Sequence, residues 1–182
     1  MAASNLPNGR TGVFPVISRA EISAPVEVVW NTLIDFKSYR EWNAFVPSQQ
    51  VADKNWKPIN PEPQTIKAGD NILVHAYLQA TGSYPAATEP TISKETIVAV
   101  DHAQHRIRWD QKTYPSLLLW TERWQALSEQ KNDAGENIIL YESRIVFGGL
   151  GAYFVKWLYA SRLNAAVALT AEGLKTRCEG LV

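Results

Sequence analysis

Cysteine is nearly missing from this chain of 182 residues. The one thiol, Cys178, cannot close an internal disulfide, and no Cys/His spacing resembles a zinc site. A lone thiol suits a reducing compartment, so a cytoplasmic location is the expectation. No Gly-x-Gly-x-x-Gly, Walker, His-Glu-x-x-His or Gly-x-Ser-x-Gly sequence occurs, which leaves dinucleotide, P-loop, zincin and serine-hydrolase chemistry without a foothold. No metal and no cofactor is therefore expected. Charge of one sign is not in excess: Lys+Arg and Asp+Glu both number 18. Local patches aside, no net field draws nucleic acid or an anionic surface to the chain. No stretch reaches the ~18 uninterrupted apolar residues of a spanning helix, and the N-terminus has no signal-peptide core.

Aromatic residues are plentiful: seven Trp, seven Tyr and five Phe. Each large ring buries ~150–250 Å², either as core or as the wall of a pocket for a flat or apolar ligand. The length fits one domain, expected over 13–182 behind a disordered lead at 1–12, where Pro, Gly, Asn and Ser follow no apolar period.

Alternation over Val13–Ala24 predicts a strand, broken by Ala24-Pro25. Val26, Val29, Trp30, Leu33 and Ile34 then fall at helical spacing, and a second short helix ends near Asn43. Phe45–Asn55 reads as a strand. The 56–68 stretch, with Pro58, Pro61 and Pro63, reads as a long loop, as does the Thr81–Pro90 segment. Strands are expected at Asn71–Gln79, Thr91–Val100, Arg106–Lys112, Leu117–Leu127 and Asn137–Phe147. After Gly148-Gly149 the pattern becomes one long Ala- and Leu-rich helix, 150–179. Strands joined by short links pair antiparallel, and one long helix then covers the concave face of a curved seven-stranded sheet. The fold class is α+β.

A turn near Asn132 allows a pairing that sets Trp124 opposite Tyr141, Glu122 opposite Ser143, and Arg123 opposite Glu142. Opposite charges across a ladder favour it by roughly 0.2–1 kcal/mol. In this register Trp120, Glu122, Trp124, Tyr141 and Ser143 face inward, with Trp109 from the preceding strand and Val74 from the third.

The stretch Ile22–Ser48, with Ala24-Pro25, Trp30, Asp35-Phe36, Tyr39, Trp42 and Asn43, resembles the N-terminal signature of the START-like, or helix-grip, superfamily and its polyketide cyclase/dehydrase-like branch. Glu142-Ser143-Arg144, the Gly pair and a long helix closing in Gly173-Leu174-Lys175 and Glu179 are similar to the same family. The resemblance implies a cavity between sheet and helix for lipids, sterols, aromatic polyketides or hormone-like ligands. Fold does not fix function, which must come from the site.

Glu122 is the first acid candidate, because burial between two Trp raises a carboxyl pKa; a strand-edge Glu near the cavity mouth, or a partner for an Arg, is the competing account. Tyr141 is the second, with Ser143 beside it. Trp42, Val74, Trp109, Trp120 and Trp124 are expected to wall the ligand. So are Phe154, Leu158 and Ala165, one stripe of the long helix read as facing cavity or core and not a membrane surface. The expectation is a small apolar partner, bound in the cavity. Cofactor-free cyclisation or dehydration is one functional reading. Non-catalytic carriage or sensing of apolar ligands is the other.

Overall fold

The computed structural model describes residues 4–61, 65–78 and 89–182. Strand β1 (Phe14–Ile22) leads into helix α1 (Val26–Ile34), a 3-10 turn (Phe36–Ser38) and the short α2 (Tyr39–Trp42). Six strands follow: β2 (Ser48–Ala52), β3 (Asn71–Ala76), β4 (Thr91–Asp101), β5 (Arg106–Gln111), β6 (Trp120–Lys131) and β7 (Asn137–Gly148). Helix α3 (Gly151–Glu179) ends the chain. The sheet runs β1-β7-β6-β5-β4-β3-β2, antiparallel throughout. This is the helix-grip α+β fold, with α3 resting on β1 and β7.

Alternation builds the inner face. Ile72 and Val74 of β3, Ile97 of β4, Ile107 and Trp109 of β5, and Ile139, Tyr141 and Ile145 of β7 are all buried. A bulge between Ile97 and Ala99 keeps the second half of β4 in phase, so that Ile97 opposes Trp109 and Val100 opposes Ile107. Against this face α3 presents Leu163, Ala166, Val167, Thr170, Ala171 and Leu174. Gly173 permits close packing, since a Cβ there would stand 2.2 Å from the Trp42 carbonyl oxygen.

Strand β6 pairs with β7 three residues away from the expected register. Trp124 lies opposite Arg144, Glu122 opposite Val146, and Leu127 opposite Tyr141. The reason is the turn. Pairing Trp124 with Tyr141 would set Lys131 opposite Ala134, but Lys131 pairs with Asn137. The five-residue connection is closed by Asn132, whose N–H donates to the Glu136 carbonyl at 3.0 Å and whose side-chain oxygen accepts the Ala134 and Glu136 amides. An odd shift exchanges the two faces of a strand. Trp120, Glu122 and Trp124 therefore lie on the outer face, and Thr121, Arg123 and Gln125 on the inner one. The charge match that favoured the other register is met differently: Glu142 lies opposite Ala126 and takes Arg19 of β1 at 3.0 Å.

The lead corrects a second expectation. Residues 4–12 are held across the outer face of the sheet by specific bonds. Ser4 Oγ and the Asn5 amide donate to Glu142 at 2.7 and 3.0 Å, Arg144 donates to the Pro7 carbonyl at 2.6 Å, and the Arg10 amide donates to Glu122 at 3.0 Å. Low apolar content does not prevent ordering where buried charges need partners. Of the two expected loops, residues 56–61 fold back on β2, with Ile59 N–H donating to Val51 O at 2.9 Å. Residues 62–64 and 81–88 lie outside the described residues.

Candidate functional site

Between the inner face and α3 lies a cavity of about 190 Å³. Its apolar wall comes from Phe45, Val46, Val74, Trp109, Ile145, Phe147 and Leu163. Its polar lining comes from Glu95 and Ser93 of β4, Gln111 of β5, and Thr121 and Arg123 of β6. Thr91, Ile92 and Tyr114 are the exposed members of the lining and mark where it meets solvent.

Arg123 is the centre of this arrangement. Its side chain is 6% exposed, its guanidinium stands 5.4 Å from the Trp109 ring centre, and its Nε has no hydrogen-bond partner among the described residues. A buried guanidinium donor left open is costly, and a ligand oxygen would satisfy it. Glu95 opposes Gln111 on the same face. Burial pushes its carboxyl above the usual carboxylate range, against the Ser93 hydrogen bond and the Arg123 charge, which pull it down. A carboxyl with a raised pKa keeps its proton to higher pH than an exposed one and can serve as a general acid.

Behind the cavity, Tyr141 donates its hydroxyl to Gln125 Oε1, and the neighbouring Ser143 Oγ is buried with no hydrogen-bond partner among the described residues. Burial raises the Tyr141 pKa, with the Arg123 charge opposing. Tyr39, whose hydroxyl donates to Leu33 O at 2.6 Å, is pushed up by burial as well.

Of the site residues proposed from sequence, Val74 and Trp109 line the cavity, and Tyr141 and Ser143 lie on its face of the sheet. The others do not meet there. Glu122, 1% exposed, is on the outer face, where its carboxylate takes Arg108 at 3.1 Å. Trp120 lies under the Arg10 guanidinium at 3.7 Å, and Trp124 stands 5.8 Å from that of Arg108. Trp42 packs edge-on against Tyr39, with ring centres 4.6 Å apart, and borders a groove beside Gly173 rather than the cavity. Phe154, Leu158 and Ala165 point to solvent, because the face that α3 buries runs through Ala152, Leu163, Ala166 and Val167. Arg123 and Glu95 were missed. Glu95 was readable in the alternation of Ser93, Glu95 and Ile97, whereas Arg123 depended on the length of the β6–β7 turn.

Among known proteins, residues 16–179 match the model of the family described as polyketide cyclase / dehydrase and lipid transport. A curated relative, oxopyrrolidines biosynthesis cluster protein O of Penicillium oxalicum, is 25% identical over 90% of this chain and 86% of its own length. Solved structures share the fold at low identity. A hypothetical protein of Helicobacter pylori superposes with a TM-score of 0.67 at 9% identity, covering 97% of this chain and 99% of its own. The Zhui aromatase/cyclase of Streptomyces sp. R1128 does so with 0.61 at 12% identity, covering 91% and 93%. Among the described residues no helix is long and apolar enough to cross a membrane. With a family match that spans nearly the whole chain and the helix-grip architecture beneath it, this protein belongs to the polyketide cyclase/dehydrase and lipid transport family.

Proposed function

We propose that this protein binds the ring-forming end of a small, largely apolar, oxygen-bearing molecule of polyketide-like or related aromatic type, and promotes its cyclisation or dehydration without a cofactor. The carrying observation is the open Nε of buried Arg123 in an otherwise mainly apolar cavity. An apolar cavity of about 150 Å³ accepts benzene, so a space of about 190 Å³ suits one substituted ring, the remainder of the molecule extending toward Tyr114.

In this reading Trp109 and Val74 confine the chain in a folded conformer and exclude water. The Arg123 guanidinium holds a carbonyl oxygen and stabilises the negative charge that develops on it as the Glu95 carboxylate takes a proton from the neighbouring carbon. The electron pair of that carbon then closes the ring onto a second carbonyl carbon or forms the double bond that expels a hydroxyl. Glu95, whose protonated form burial favours, then gives that proton to the alkoxide left by ring closure or to the hydroxyl that departs as water. Tyr141 and Ser143 orient the polar floor. The relative's name places that protein in a biosynthetic cluster and the Streptomyces neighbour's names an aromatase/cyclase, which favours the enzyme over a passive carrier.

Native mass spectrometry of freshly purified wild type and Arg123→Met tests this. The wild type should retain a small oxygenated molecule that Arg123→Met loses, with the fold intact by circular dichroism. Retention by both proteins would overturn the role of Arg123. A bound molecule recovered chemically unchanged after incubation would favour the carrier.

A further inference from the structure

The largest apolar side chains of the first half of α3 face water. Trp157 is 79% exposed and Phe154 60%, and Leu150 and Tyr153 are exposed beside them. Their spacing of three and four residues sets them on one side of the helix. The connection before β6 adds Leu117 and Leu118. It is fastened to the helix start by Leu150 N–H donating to Leu117 O at 3.0 Å and Gly151 N–H donating to Leu118 O at 2.7 Å. Two separate segments thus build one greasy surface, of a kind that soluble monomers rarely leave bare.

Its charge is one-sided although the whole chain is neutral. Residues 111–121 and 143–171 contain no Asp or Glu, while Lys112, Lys156 and Arg162 are exposed there. Trp and Tyr beside aliphatic side chains and flanking cations match the chemistry of a bilayer's headgroup boundary, where amphipathic rings sit and basic side chains meet anionic lipid. The surface also runs into the cavity opening, because Tyr114 belongs to both the connection and the cavity lining.

The geometry points to a peripheral membrane-docking face, made by the start of α3 and the β5–β6 connection, that seats the protein on an anionic lipid surface with the cavity opening beside it. An apolar guest could then pass between bilayer and cavity without crossing water. The docking itself stands whether or not the cavity catalyses.

Flotation of the full chain with vesicles of equal parts phosphatidylcholine and phosphatidylserine, and with pure phosphatidylcholine, tests it. The protein should float with the anionic vesicles and be released by high salt. Trp157→Glu should abolish flotation while leaving the fold unchanged, since the side chain is 79% exposed. Lys156→Glu should weaken binding to anionic vesicles by at least about fivefold. Equal flotation of wild type and Trp157→Glu, or none by wild type, overturns the proposal. So does a stable homodimer that Trp157→Glu splits in sedimentation equilibrium, because the face would then be covered by a second copy.

Discussion

The Glu122 carboxylate lies 3.1 Å from the Arg108 guanidinium, on the outer face of the sheet beneath the N-terminal segment. Arg108 is also held by Asp110 at 2.8 Å, so the guanidinium joins two carboxylates. This is a structural ion pair, away from the cavity.

Replacing Glu122 by Ala should therefore act on stability. The Arg10 amide loses its acceptor and Arg108 loses one of its two anions. A hydrogen bond to a charged group contributes about 1.5–3 kcal/mol, and a loss in that range is the expected outcome of urea unfolding. Ligand binding should stay within twofold of wild type. A variant of native stability that no longer turned over substrate would return Glu122 to the chemistry.

Glu95 should make stability depend on pH. Burial raises its pKa in the folded chain above the ordinary value of 4.5, so the native state holds this proton more tightly than the unfolded state does. The stabilisation is complete below the unfolded value and is lost as pH rises through the raised folded one. Glu95→Gln, neutral at every pH, should remove that slope. Denaturation midpoints of both proteins across this window should show wild type declining relative to the variant. Parallel curves would mean that Glu95 ionises like an exposed carboxylate.

Gly173→Ala should destabilise although alanine is the better helix former. The new Cβ would meet the Trp42 carbonyl oxygen at 2.2 Å, a backbone atom that cannot swing away. Overpacking of this kind costs about 1–3 kcal/mol, more than the ~1 kcal/mol of helix propensity gained. Thermal and urea unfolding should both record the loss. A neutral or stabilised variant would show that α2 and α3 can separate at no cost.

Long periodic segments were legible from the chain alone. The alternation in β3 and β5 and the unbroken helical run after Gly149 led directly to the sheet and its covering helix. β6 was not legible in the same way. Residues 4–12 cover its outer side, so Glu122 and Arg123, neighbours in sequence, are both buried and alternation no longer separates the two faces. The helix stripe failed for a related reason. Phe154 and Leu158 are as apolar as core residues, and only the packing of Ala152 and Leu163 against the sheet shows that they face outward.

By itself the sequence determined the order and kind of the elements, the family, and the apolar inner sides of β3, β5 and β7, because these depend on local periodicity and on motifs read within one segment. Tertiary structure alone decided which charges meet the cavity. A five-residue turn at Asn132 turned Arg123 inward and Glu122 outward, and the segment crossing the outer face gave the displaced carboxylate its partners. A pairing register is a relation between strands, so one residue added to or taken from a turn moves every side chain of the following strand to the opposite face.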